Sequence, residues 1–164
     1  MDERFDDDDD RFLSRAIELA RAARDAGEDP FGAVLVIAGS IVREASDRTI
    51  ASCDPTAHAE LEVIRNYCRA AHCIDLSDAV LYASAEPCAM CAGAIHWARI
   101  SRLVFSVPQS ALQARSGGTP KLGCDAILNA GRTRCTIDGG RLLDRGLAVF
   151  DGYTFVPKRA RVPR

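Results

Sequence analysis

Apolar residues recur at helical spacing in some segments of this chain and form short continuous runs in others. Helical spacing predicts a first helix at residues 11–26, ending before Gly27. The short runs predict five strands, at residues 31–37, 41–45, 79–83, 102–106 and 134–137. Further helices are predicted at residues 57–71, 88–98 and 141–151. Helices that alternate with strands are typical of a three-layer α/β/α sandwich.

Two connections are informative. The first two strands are separated only by a turn at Gly39 and Ser40, so they are predicted to pair antiparallel. The segment 108–130 is interrupted by glycine and proline, and we predict only a short helix there, at residues 125–130.

The chain begins with an acidic segment. Five consecutive aspartates occupy residues 6–10, and we predict that residues 1–10 form a flexible acidic tail. The alternative is that these aspartates interact favourably with the positive N-terminal end of the first helix dipole.

Composition indicates an ordinary soluble globular protein. With 164 residues, 48% hydrophobic and 27% charged, we predict one domain spanning residues 1–164. No apolar run approaches the ~20 residues that cross a bilayer. Because the N-terminus is acidic rather than basic and then apolar, we predict a cytoplasmic protein without a membrane partner. The seven cysteines are then more consistent with thiols, metal ligands or buried apolar groups than with disulfides.

Two short motifs at predicted helix starts supply a set of metal ligands. Cys88 and Cys91 are three residues apart, so on a helix their sulfurs share one face. His58 provides a third ligand from a neighbouring helix, and three protein ligands leave the fourth zinc position open, as in catalytic sites. Glu60, two residues after His58, is placed to move protons without binding the metal. The paired motifs have the form H-x-E…P-C-x-x-C, the signature of zinc nucleobase deaminases.

The resemblance extends beyond that signature. Residues 30–34, 54–60, 86–95 and 98–100 resemble the cytidine deaminase-like superfamily, and within it the bacterial guanine deaminases and tRNA adenosine deaminases. The similarity covers roughly residues 12–105 well and the C-terminal third loosely. It implies an α/β fold, a three-layer α/β/α sandwich with a five-stranded mixed sheet, one zinc per subunit and a homodimer.

The same resemblance implies a reaction. Zinc would lower the pKa of its water towards ~7, and Glu60 would take the water proton and pass protons to the ring and to the departing ammonia. The backbone N–H groups of Ala59 and Cys88, at helix starts, would line the site. A structural zinc is the main alternative, and Cys53 is then the candidate fourth ligand.

The identity of the substrate rests on weaker features. Asp47 stands where the close relatives carry an asparagine that holds the base or sugar, and a carboxylate favours an edge rich in N–H groups. Phe31 is predicted either to stack on a base or to fill the core, and Trp97 either to wall the pocket or to pack in the core. A net charge of −2 and a short basic tail at residues 158–164 disfavour a large RNA. We therefore expect a small aminated base (guanine or a related aminopurine, cytosine or a triazine), with a tRNA adenosine deaminase as the alternative.

Overall fold

The computed structural model describes residues 3–116, 122–132 and 134–160. A five-stranded sheet has the strand order β2-β1-β3-β4-β5, and helices cover both of its faces. The strands are β1 Gly32–Ile37, β2 Ser40–Ser46, β3 Ala79–Ala85, β4 Arg102–Val107 and β5 Thr136–Gly139. The helices are α1 Glu3–Asp25, α2 Ala59–Ala71, α3 Ala89–Trp97, α4 Gln109–Ser116, α5 Cys124–Leu128 and α6 Leu143–Ala148, followed by a 3-10 turn at Lys158–Ala160.

The sheet is mixed, as predicted. Strand β1 pairs antiparallel with both β2 and β3, whereas β3, β4 and β5 run parallel. The turn between β1 and β2 lies at Ala38 and Gly39, both with positive φ (49° and 73°), one residue earlier than predicted. Two central residues with positive φ produce the tight turn whose twist matches an antiparallel hairpin.

Successive side chains of a strand point to opposite faces of the sheet, so β1 contributes apolar side chains to the cores on both faces. In β1, Ala33 and Leu35 face the layer of α2, α3 and α5, whereas Val34 and Val36 face α1 and the end of α6. The three-layer prediction is therefore confirmed, and α2 and α3 lie on the same face. None of the helices within the described residues has the length and apolar character that a membrane crossing requires.

The acidic run is part of α1 rather than a flexible tail, which corrects the prediction for residues 3–10. Asp9 is buried and accepts hydrogen bonds from the Tyr82 hydroxyl (2.6 Å) and from both terminal nitrogens of Arg102 (2.8 and 2.6 Å). Although burial acts to raise it, the bonds from Arg102 and Tyr82 hold the pKa of Asp9 below its ordinary value. Asp10 pairs with Arg141 (2.8 Å). The run continues the helix because these partners on the sheet side compensate its charge.

The C-terminal third departs most from the sequence prediction. Helix α4 was not predicted, α5 begins at Cys124 rather than at residue 125, and β5 begins two residues later than expected. Helix α6 spans six residues instead of residues 141–151, and its start is delayed because Leu142 has a left-handed backbone (φ 50°). Residues 117–121, which include Gly117, Gly118 and Pro120, and residues 161–164 of the basic tail lie outside the described residues.

Close contact between α1 and β1 depends on Gly32. A Cβ at this position would collide with the backbone oxygen of Ala16 and would lie 2.7 Å from the backbone nitrogen of Ala20. We expect Gly32→Ala to lower the free energy of unfolding by about 2–3 kcal/mol, since rigid backbone must move apart. Gly93→Ala, in α3 with nothing within 4 Å of the added Cβ, serves as the control and should be neutral or slightly stabilising. Urea unfolding measures both, and equal stability of the two variants would contradict the prediction.

Candidate active site

Three side chains of the kinds that ligate metal ions project from the starts of two neighbouring helices. His58 is the N-cap residue of α2 and Cys88 that of α3, both with extended backbone (φ −71°, ψ 151° and φ −69°, ψ 170°). Neither side chain caps its own helix, so the imidazole and the thiol are available to each other. Cys91 lies one turn further along α3 and is fully buried. The chain thus brings together residues that are 30 and 33 positions apart.

The spacing of these three side chains fits a tetrahedral zinc ion. The sulfurs of Cys88 and Cys91 lie 3.5 and 3.7 Å from Nδ1 of His58. A tetrahedron with the usual Zn–S and Zn–N bond lengths has a sulfur–nitrogen edge of about 3.6 Å. All three ligand atoms lie within 4.8 Å of one another. The donor set and its dimensions therefore suit zinc, with one coordination position left over.

The two thiols are strongly coupled. The pKa of Cys88 is far below its usual value because Cys91, and then His58, hydrogen-bond to its thiolate. The pKa of Cys91 is raised, first by its hydrogen bond to Cys88 and second by burial. Of the two sulfurs, Cys88 therefore carries the negative charge and Cys91 the proton. A metal cation bound here would displace the proton of Cys91, because thiolates are the ligand form.

Glu60 lies in the first turn of α2, beside this group. Its side chain is buried, and burial raises the pKa of Glu60 to about 7. Electrostatic effects from Cys88 and His58 and a hydrogen bond with Cys91 act on the same carboxyl, which shows that it faces the ligand group. A carboxyl with a pKa near neutrality can both accept and donate a proton.

Asp47, which follows β2, lies close to the same group. Its backbone N–H donates to the carbonyl of Phe31 (3.0 Å), and the next residue, Arg48, donates to the carbonyl of Ala57, directly before His58. The side chain is 2% exposed. Thr49 donates its backbone N–H (3.0 Å) and its hydroxyl (2.8 Å) to Oδ1, whereas Oδ2 has no hydrogen bond among the described residues.

Burial raises the pKa of Asp47, with the hydrogen bonds from Thr49 opposing it. The charge of Asp29 adds to the increase and that of His58 reduces it, so Asp47 interacts with an acidic neighbour and with the ligand group. Its Oδ2, which has no hydrogen bond among the described residues, is available as an acceptor.

Two buried or half-buried glutamates that the sequence did not single out hold the loops of the site. Glu28 accepts the backbone N–H groups of Ile50 (2.9 Å) and Ala51 (2.7 Å), which fixes the loop after Asp47. Glu86 accepts the N–H groups of Gln109 (2.9 Å) and Cys124 (3.0 Å), which ties the segment before Cys88 to the starts of α4 and α5. Their partners lie 22 to 38 residues away, so no local pattern reveals these roles.

Phe31 belongs to an aromatic cluster with the C-terminal segment. Its ring lies 5.8 Å from that of Phe150 and 6.3 Å from that of Phe155. Tyr153 packs edge-on against Phe155, and its hydroxyl donates to Asp29 (2.6 Å). Phe31 is only partly buried and contacts the cores on both sides of the sheet. The structure thus places it between core and site, and both predicted roles remain open.

Two predicted candidates are not brought into this group. Trp97 is 83% exposed at the C-terminal end of α3, so the structure does not support either predicted role, as a pocket wall or as core packing. Cys53 is exposed, and the metal-ligand group found among the described residues consists of His58, Cys88 and Cys91 without it. The structural-zinc alternative therefore lacks its proposed fourth ligand. Ala59, by contrast, begins α2 and is fully buried next to His58.

The known proteins that resemble this chain are deaminases. The family described as "Cytidine and deoxycytidylate deaminase zinc-binding region" matches residues 6–107. The guanine deaminase of Bacillus subtilis is 45% identical over 107 residues, covering 65% of this chain and 68% of that protein. The chain spans about two thirds of the length of curated relatives such as this one and a Buchnera aphidicola tRNA-specific adenosine deaminase.

Solved structures extend the similarity into the C-terminal third. A tRNA:A34 deaminase superimposes with a TM-score of 0.72 and 33% identity, covering 85% of this chain and 98% of that one. The guanine deaminase of Nitrosomonas europaea superimposes with a TM-score of 0.76 and 26% identity, covering 87% of this chain and 82% of that one. Both substrate classes are therefore represented among similar proteins.

Proposed function

Because the chain belongs to the family of cytidine and deoxycytidylate deaminases defined by their zinc-binding region, and is thus a zinc-dependent hydrolytic deaminase, we propose that its substrate is a small aminated base. Guanine or a related aminopurine, cytosine or an aminated triazine fits this class. The observation that carries the proposal is the buried carboxyl of Asp47 beside His58, with Oδ2 available.

In this proposal, His58, Cys88 and Cys91 hold the zinc ion. Zinc bound there supplies Lewis-acid chemistry that makes a water molecule nucleophilic at neutral pH. The three side chains keep one position open because no fourth ligand joins them among the described residues. The reaction is hydrolytic: water adds to the ring carbon that bears the amine, a C–O bond forms, and the C–N bond breaks to release ammonia.

Glu60 moves the protons of this reaction. Its carboxylate accepts one proton of the attacking water and gives it to a ring nitrogen. It then takes the remaining proton of the hydroxyl on the reacting carbon, which becomes a carbonyl, and delivers that proton to the departing amine. Its buried position beside Cys91 excludes bulk water from these transfers. The backbone N–H groups of Ala59 and Cys88, at the starts of α2 and α3, donate to the oxygen on the reacting carbon.

Asp47 sets the preference for a small base. A carboxylate accepts hydrogen bonds and cannot donate them when ionised, so Oδ2 favours a ligand edge with N–H groups. A free base with a ring N–H presents such an edge, whereas the same nitrogen carries the ribose in a nucleoside. A phosphate group would also be repelled by this carboxylate and by Asp29 behind it.

The direct test is ammonia release by the zinc-loaded protein from free bases, nucleosides and a tRNA anticodon stem-loop. We expect turnover of at least one free aminopurine, aminopyrimidine or aminotriazine, and little from nucleosides. Absence of ammonia from every free base, with turnover of the stem-loop, would overturn the proposed substrate class.

Replacing Asp47 tests its role in selection. We expect Asp47→Asn to lower the ratio of kcat/KM for a free base to that for its nucleoside by about tenfold, the value of one hydrogen bond to a charged group. Asp78→Asn, an exposed aspartate with the same change in charge, should leave the ratio unchanged. An unaltered ratio in Asp47→Asn would mean that Asp47 does not contact the substrate.

A tRNA adenosine deaminase is the second candidate, because this chain matches 98% of the length of the tRNA:A34 deaminase. It predicts stem-loop binding that weakens steeply with salt, as phosphate contacts require. Binding that is salt-insensitive or undetectable would exclude it. The homodimer, the single domain over residues 1–164 and the cytoplasmic location stay predictions; size-exclusion chromatography tests the first.

A further inference from the structure

Two cysteines outside the zinc-ligand group lie together where α2 ends. The helix ends at Ala71, and His72 follows with a left-handed backbone (φ 51°, ψ 38°). The N–H of Cys73 donates to the carbonyl of Cys68 at 3.2 Å, and this bond closes a loop of six residues. This is the Schellman arrangement, in which the residues that flank the hydrogen bond bring their side chains together. Here both of those residues are cysteines.

The backbone separation allows the two thiols to be joined. The 3.2 Å hydrogen bond and standard bond lengths limit the distance between the two Cα atoms to about 7 Å at most, the upper bound for a disulfide. Burial, and then the charge of Cys73, raises the pKa of Cys68, so the two thiols lie close enough to interact electrostatically. The Cys73 thiol donates weakly to the carbonyl of Asp75 (3.1 Å), a contact given up on oxidation.

Solvent access separates this pair from the buried thiols Cys124 and Cys135. Cys68 and Cys73 are both partly exposed, so a small oxidant can reach them. Cys124 and Cys135 are buried at 2% and 7% exposure. Cys53 is exposed but lies in the loop after Asp47.

We propose that Cys68 and Cys73 form a reversible intrachain disulfide, a redox-modification site at the C-terminal end of α2. The oxidant class is a low-molecular-weight disulfide such as oxidised glutathione. One cysteine thiolate attacks it, which forms a mixed disulfide and releases one glutathione thiolate. The second cysteine thiolate attacks the protein sulfur of the mixed disulfide and releases the second glutathione. Two electrons pass from the cysteines to glutathione, whose two thiols take up the two protons.

The test equilibrates zinc-loaded protein with buffers of increasing ratio of oxidised to reduced glutathione, followed by alkylation and mass spectrometry. Wild type is expected to become lighter by two hydrogen atoms, lose two alkylatable thiols and keep its zinc. Trypsin should then yield residues 66–69 joined to residues 70–99, and dithiothreitol should reverse the change.

Three serine variants identify the pair. Cys53→Ser should behave as wild type, whereas Cys68→Ser and Cys73→Ser should each stop at one glutathione adduct on the remaining cysteine. Retained zinc in both variants shows that they are folded. The proposal is overturned if the bridge persists in either variant, if wild type carries two adducts without a bridge, or if oxidation releases zinc. These readouts do not depend on the substrate, so the deaminase proposal stands or fails separately.

Discussion

Replacing Glu60 by glutamine lowers kcat by about a thousandfold or more while the protein keeps its zinc. The amide has nearly the same shape as the carboxyl, but it cannot carry a proton between water, ring and leaving amine, and general acid–base catalysis contributes about 10²–10⁴-fold. Because Glu60 is not among the three metal ligands, zinc content should match that of wild type. Steady-state ammonia release and elemental analysis measure the two quantities on the same sample.

Glu62→Gln is the matched control on the same helix. Glu62 pairs with Arg65 (2.8 Å) and lies outside the ligand group, so its replacement should change kcat by less than about twofold. Substantial activity in Glu60→Gln, or an equal loss in Glu62→Gln, would contradict the assignment of proton transfer to Glu60.

Replacing Cys91 by alanine abolishes zinc binding and turnover together. Cys91 is fully buried and belongs to the three-residue ligand group, so its loss removes a ligand and leaves a coordination set of two. We expect a loss of zinc affinity of about a hundredfold or more, because a two-ligand site no longer holds the ion at micromolar concentrations. Chelation of wild type should likewise remove activity, and added zinc should restore it.

Cys53→Ser distinguishes a catalytic from a structural zinc. The exposed Cys53 lies outside the ligand group, so this variant should retain full zinc content and activity. Loss of zinc in Cys53→Ser would instead indicate a four-ligand structural site. Thermal unfolding with and without zinc adds an independent measure, since an ion that binds only the folded chain raises its Tm.

The candidate metal-ligand set was accessible to sequence reasoning because it consists of two short local motifs, which the deaminase signature pairs. Cys88 and Cys91 share one helical turn, and His58 and Glu60 lie two residues apart at another helix start. The short apolar run at residues 31–37 likewise predicts β1, and the short turn predicts its antiparallel partner. Each of these patterns involves residues that are close together in the sequence, so it can be identified without the tertiary structure.

The acidic run shows where local reasoning failed. Five adjacent aspartates favour a solvated tail when their partners are unknown. Arg102 lies 93 residues from Asp9, and Arg141 lies 131 residues from Asp10. Only the folded chain brings these guanidinium groups to the carboxylates, so only the structure shows that the helix extends through the run.

By itself the sequence determined the fold class, the candidate zinc donor set and the proton-transfer candidate, because each rests on patterns of a few residues and on the signature that pairs the two motifs. The tertiary structure decided the surroundings of that set: Asp47 buried with one oxygen available, Glu28 and Glu86 fixing the loops, and Trp97 directed to solvent. The physical reason is that burial and long-range hydrogen bonds depend on which distant segments meet. The chemistry of the site is therefore local in the chain, whereas the environment that selects its substrate is not.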